Sequence, residues 1–134
     1  MKANDYGCPY GCPVEAALDV VGGRWKAVIL FHLLDGTKRF GDLRRFLSKV
    51  TQRMLTLQLR QLEEDGVISR KVYAEVPPRV EYSLTEFGRT LEPILQAMLE
   101  WGEVYEKRIE TGVSRNRRSP QVKGPLYPAS DRRL

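Results

Sequence analysis

The sequence predicts a small α+β fold that is mostly helical, and three patterns predict it. Leu55, Leu59 and Leu62 recur at spacings of four and three, the period of a helix with one buried face. Two strand-like runs, Val67–Ala74 and Arg79–Leu84, flank Glu75-Val76-Pro77-Pro78, a connection stiffened by its prolines, and read as a β-hairpin. Phe87, Leu91, Ile94, Leu95, Met98, Trp101, Tyr105 and Ile109 then form the apolar stripe of a long C-terminal helix. At 134 residues and 42% hydrophobic, the chain suits one domain with a modest core, a size at which sharing apolar surface with a partner adds stability.

Residues 1–11 carry Gly7, Pro9 and Gly11 and are expected to form an irregular arm. Cys12-Pro13 marks a helix start, because proline lacks an N–H that the first turn would leave unsatisfied in any case. The helix Val14–Val21 follows, and Gly22-Gly23 ends it. Arg24–Leu34 is a second helix, in which Trp25, Val28, Ile29, Phe31, Leu33 and Leu34 leave little for water; Asp35-Gly36 stops it. Lys38–Phe40 is a very short strand, and Gly41–Leu47 a short helix with Leu43, Phe46 and Leu47 inward. Ser48-Lys49-Val50-Thr51 is a turn, and Thr51 is a good cap for the next helix, Gln52–Asp65. At about 100° per residue, that helix turns Arg53, Thr56, Leu57 and Arg60 away from its leucine face. Asp65-Gly66 ends it. After the hairpin, Thr85 is the expected cap of the long helix, and Pro93 is expected to kink it. Residues 12–110 thus form the domain, and residues 111–134, rich in Gly, Ser, Pro and Arg, are expected to be a disordered basic tail.

Two helices joined by a tight turn and followed by a hairpin make a winged helix-turn-helix, here with an N-terminal helix and a long C-terminal dimerisation helix. In that arrangement the second helix lies in a DNA major groove with its N-terminal residues on base edges. Gln52, Arg53 and Thr56 hold those positions, and Gln and Arg carry the donors that read adenine and guanine. Arg60 lies further along the same face, where phosphate is the nearer target. Thr51 can donate its hydroxyl to a phosphate beside the helix N-terminus. Arg44, Arg45 and Lys49 belong to the preceding helix and turn, which cross the backbone; Arg79 is the wing candidate for the minor groove or its phosphates.

The charge distribution agrees. The net charge of +5 resides in the tail, where Arg115, Arg117, Arg118, Lys123, Arg132 and Arg133 face only Asp131, and residues 1–114 are balanced. Within the domain, Lys38, Arg39, Arg44, Arg45, Lys49, Arg53 and Arg60 stand against Asp42 alone, while residues 86–110 hold six Glu against Arg89, Lys107 and Arg108. A basic patch set apart from an acidic one is the footprint of a DNA-binding surface. A winged helix used only for protein contact would lack Arg53 and Arg60 on its reading face.

Other classes lack their residues. His32 is the only histidine and sits in an apolar run, so no Ser/His/Asp set exists, and it is expected in the core or at a dimer contact. Gly22-Gly23 has no Lys-Ser/Thr signature for phosphate. Cys8 and Cys12 are the only cysteines, too few for a disulfide framework or a zinc site, so neither metal nor cofactor is expected. No apolar run is long enough to span a bilayer and no secretory pattern opens the chain, so the expected location is the cytoplasm.

Five short runs carry a family resemblance: Gly23-Arg24-Trp25, Phe40-Gly41-Asp42-Leu43-Arg44, Leu62-Glu63-Glu64-Asp65-Gly66, Pro78-Arg79-Val80-Glu81-Tyr82 and Leu84-Thr85-Glu86-Phe87-Gly88. From Cys12 to Tyr105 the chain closely resembles the HxlR-type transcriptional regulators, winged-helix proteins akin to the MarR superfamily. The resemblance implies a homodimer on double-stranded DNA with a pseudo-palindromic operator, often near its own gene. Physics points the same way: Leu91, Leu95, Met98, Trp101 and Tyr105 exceed what so small a domain can cover, and Val14 and Leu18 could join such an interface. Repression is the expected sign, since a small bound dimer mostly blocks polymerase.

In this family a Cys just before Pro-Val-Glu often senses thiol-reactive compounds: quinones, aldehydes, hypochlorite or disulfide stress. Cys12 matches that position, and a helix N-terminus favours a negative charge such as a thiolate. Cys8 could resolve an oxidised Cys12 within the chain or pair across the dimer. The alternatives are Cys12 as a packed cap with Cys8 a surface residue, and a small-molecule pocket between the dimer helices involving Trp25, Phe31, Trp101 and Tyr105.

Overall fold

The computed structural model describes residues 11–112; the expectations for the N-terminal arm, for Cys8 and for nearly all of the basic tail lie outside them. The elements are α1 (Pro13–Val21), α2 (Lys26–Leu33), β1 (Lys38–Arg39), α3 (Phe40–Phe46), α4 (Gln52–Glu64), β2 (Ile68–Tyr73), β3 (Arg79–Leu84), a 3₁₀ turn at Gly88–Leu91, and α5 (Glu92–Glu110). This is a winged helix-turn-helix with a long C-terminal helix.

The core gathers the leucines that the helical period singled out. Leu43, Leu47, Leu55, Leu59 and Leu62 meet Ile29, Leu30 and Leu33 of α2. Val67, Ile68, Tyr82 and Leu84 close it from the sheet, and Leu95 from α5. His32 is buried with them, its ring stacked on Phe46 at 4.7 Å. The sheet is antiparallel with order β1-β3-β2; β2 and β3 pair from Ile68 opposite Leu84 to Tyr73 opposite Arg79. β1 adds only Lys38 opposite Tyr82 and Arg39 opposite Glu81.

One junction ties the end of α4 to the chain leading into α5. Gly66 follows α4 with φ of 80°, a left-handed conformation that costs a side-chain-bearing residue about 1–2 kcal/mol. The Thr85 hydroxyl donates to the Gly66 carbonyl at 2.7 Å and accepts from the Gly88 N–H at 2.9 Å. A Cβ on Gly88 would stand 2.0 Å from the Val67 carbonyl oxygen, so only glycine allows the chain to pass there. Thr85 therefore does not cap α5, whose cap position is Leu91; its hydroxyl instead holds the start of the 3₁₀ turn through the Gly88 N–H. Pro93 does not kink a long helix: it occupies the first turn of α5, where its missing N–H costs nothing.

The C-terminal stripe also divides. Leu95 is 2% exposed and so is taken up by its own domain, and Leu91 is partly buried against the same core. Ile94, Met98, Trp101 and Val104 remain outside, as do Val14 and Leu18 of α1. Trp101 and Tyr105 stack on each other at 5.4 Å, whereas Trp25 and Phe31 pack at the rim of the core. Among the described residues no helix is long and apolar enough to cross a membrane.

Candidate nucleic-acid interface

Burying Leu55, Leu59 and Leu62 fixes the rotation of α4 about its axis. Gln52, Arg53, Thr56, Leu57 and Arg60 are consequently exposed. Thr51 starts the helix in an extended conformation, and its hydroxyl oxygen accepts from the Met54 N–H at 3.0 Å, a cap worth about 1 kcal/mol. The hydroxyl proton is left to donate outward. Thr56 is different: its hydroxyl donates to the Gln52 carbonyl at 2.9 Å, so toward a ligand it offers a methyl group and an acceptor.

The predicted cations separate into two kinds. Arg39, Arg44, Lys49, Arg53 and Arg60 have no carboxylate within ion-pair distance among the described residues. Lys38 does not belong with them. Its ammonium lies 2.7 Å from Asp35 and its side chain is largely buried, so it closes the turn before β1. Arg45 is well exposed but holds Asp42 at 2.5 Å. Asp42 also accepts from the Arg39 N–H at 3.0 Å, and that backbone hydrogen bond, ahead of the one from Arg45, holds its carboxyl below the ordinary aspartate range.

Arg79 is likewise engaged at home. Its guanidinium lies 3.9 Å from the Tyr73 ring centroid, with Glu75 at 3.5 Å and Glu81 at 3.4 Å. The Glu81 contact is an ion pair without hydrogen-bond geometry, since Nε makes no hydrogen bond. Tyr73 donates its hydroxyl to Glu81 at 3.2 Å, and the Lys71 ammonium sits 4.9 Å from the same ring. Arg79 thus braces the hairpin and is not a free cation in this structure. The signal was in the strand alternation, which places Arg79 and Glu81 on one face.

Sequence reasoning misses the apolar members of this surface. Periodicity turns Leu57 outward but gives it no role, and Met54, also exposed, does not stand out. Met54 is the less available of the two, because the Gln58 amide donates to its sulfur at 3.3 Å.

Cys12 caps α1 in an extended conformation and is half-buried. Its N–H donates to the Glu15 carboxylate at 3.1 Å, so a negative charge already sits at the amide end of this helix. Val14 and Leu18, in the two turns that follow, face outward.

A helix-turn-helix with a hairpin wing and unneutralised cations along its second helix defines a winged-helix, DNA-binding transcriptional regulator. The chain belongs to the HxlR-like helix-turn-helix family, whose model matches residues 20–110. It is 64% identical over 100 residues to the HTH-type transcriptional regulator YdeP of Bacillus subtilis, covering 75% of this chain and 78% of that one. Among solved structures, the reduced form of the redox regulator HypR shares 59% identity with a TM-score of 0.71, over 75% of this chain and 99% of that one. The reduced form of YodB from B. subtilis shares 36% identity with a TM-score of 0.61, over 70% and 93%. These relatives are transcriptional regulators, not enzymes.

Proposed function

We propose that this regulator is a cytoplasmic homodimeric repressor that reads a pseudo-palindromic operator through α4 and leaves it when Cys12 is modified. The carrying observation is the set of cations Arg39, Arg44, Lys49, Arg53 and Arg60 along α3, the turn after it and α4, with no carboxylate within ion-pair distance among the described residues. On this reading Gln52, Arg53 and Thr56 read bases, while Thr51, Arg44, Lys49 and Arg60 hold phosphates. The domain spans residues 12–110, between an arm and a basic tail.

Apolar side chains left outside the core support the dimer. Trp101 is 66% exposed, and Met98, Val104, Val14 and Leu18 join it. A two-fold axis through α5 and α1 would present two copies of α4 to successive turns of one DNA face. Two features support a thiol response: Cys12 opens α1, which carries Val14 and Leu18 on its outside, and the similar protein HypR is a redox regulator. With diamide as oxidant, two thiols close into a disulfide as diamide takes up their two electrons and two protons. Such a bond, with Cys8 or across the dimer, would move α1 and with it the separation of the reading helices.

The test is a gel shift on promoter DNA flanking the protein's own gene, reduced and then diamide-treated, with wild type and Cys12→Ser. The expected result is a shift lost on oxidation and restored by thiol in wild type, and a shift indifferent to diamide in Cys12→Ser. A response that survives in Cys12→Ser moves the sensor elsewhere. A monomeric mass by sedimentation at working concentration would overturn the dimer, and a reporter that rises with the protein would overturn repression.

A further inference from the structure

We infer that Leu57 reads a thymine through its 5-methyl group, which makes it a specificity-determining residue of α4. The inference rests on the reading of α4 as the helix that enters the major groove.

Leu57 follows Arg53 by four residues and precedes Arg60 by three, so the three form one stripe on the outer face of the helix. It is 40% exposed, and the core side of α4 is already filled by Leu55, Leu59 and Leu62. A leucine between two guanidinium groups suits neither water nor phosphate. Major-groove base edges present hydrogen-bond donors and acceptors and one distinctive apolar group, the thymine methyl. Arg53 and Arg60 on either side fit guanine edges or phosphate oxygens and would hold Leu57 against the intervening base. The helix therefore offers a donor, a methyl-seeking side chain and a second donor in register.

The neighbours do not compete well for this role. Met54 lies off the stripe, about 100° around the helix from Arg53, with its sulfur engaged by Gln58. Thr56 carries a methyl, but it sits about 100° around the helix from Leu57, with Arg60 between them.

An operator duplex would first be selected from random double-stranded DNA with the full chain. Uracil would then replace thymine one position at a time in both half-sites, removing a methyl and no hydrogen-bonding group. Wild type should lose about three- to fivefold in affinity at one position per half-site, the effect of exposing a single buried methyl. Leu57→Ala should lose a similar amount on the unmodified operator and nothing more at that uracil position; being exposed, it should fold normally.

A flat uracil scan, a Leu57→Ala variant that keeps the uracil penalty, or a selected operator without thymine in its half-sites would overturn the inference. Arg53→Ala and Arg60→Ala, measured in parallel, locate the failure. If neither weakens binding, α4 is not the reading helix; if they do and the scan is flat, only the role of Leu57 falls.

Discussion

Along α3, the turn after it and α4, the cations Arg39, Arg44, Lys49, Arg53 and Arg60 have no carboxylate within ion-pair distance among the described residues, whereas Arg70 and Arg79 of the hairpin do and Lys71 lies over the Tyr73 ring. Arg70 meets Glu63 of α4 at 3.4 Å; Arg79 lies between Glu75 and Glu81; Lys71 and Arg79 both sit against Tyr73. The difference is physical as well as positional. A free surface cation carries loosely held counterions and sheds them when it meets phosphate, a gain in entropy. A paired cation must first lose its own partner, so its net contribution is small. On the proposed reading, affinity comes from the helices, and the hairpin contributes a fixed shape beside them.

The largest expected effect is at Arg53. Arg53→Ala should cost about 1–3 kcal/mol on the operator and little on unrelated DNA, as loss of a base-reading arginine does. An unchanged preference for the operator would show that Arg53 only positions the helix. Next come Arg60 and Lys49. Removing either should weaken operator and unrelated DNA alike and lower the slope of log affinity against log salt by about 0.9 for each phosphate left without its cation. A slope that stays put in both variants would remove the helix side of the comparison.

How much of this is visible in the sequence depends on whether local periodicity carries the answer. α4 is legible because Leu55, Leu59 and Leu62 fix its inner face, and Thr51 and Gly66 its ends. The hairpin is legible from alternation around Pro77-Pro78. Pro93 misleads because its effect depends on whether the helix has already begun, and that is settled by Thr85 and by the close passage of Gly88 past Val67. Leu91 and Leu95 read as outward-facing because a stripe names a face without saying what covers it. The pairing of Arg79 is not legible because its partners, Glu75 and Glu81, come close only once the hairpin closes.

Arg79 supplies a smaller effect, and one of a different kind. Arg79→Ala should lower stability by about 1 kcal/mol, the scale of a partly exposed ion pair with a cation–π contact, read as the urea midpoint. It should leave the salt slope of DNA binding unchanged. A slope lowered as much as in Lys49→Ala would mean that the wing surrenders its internal partners to phosphate, and the division between helix and hairpin would fail.

The smallest effect tests the comparison inside the helix region, where Arg45 alone among the exposed cations is paired, to Asp42. The backbone hydrogen bond from Arg39 is the main cause of the lowered Asp42 carboxyl; Arg45 adds its hydrogen bond and charge, and burial works against both. The folded value lies below the ordinary 3.8, so this group's stabilisation is fully present above that pH and lost as pH falls through the folded value. Asp42→Asn should therefore flatten the loss of stability in this acid window, measured by urea unfolding across pH. At neutral pH the same change releases Arg45 beside the proposed backbone contacts. Binding should tighten slightly, and the salt slope should rise by up to about 0.9. A slope equal to wild type would show that Arg45 reaches phosphate while still paired; pairing would then not withhold a cation from DNA, and the quiet hairpin would need another explanation.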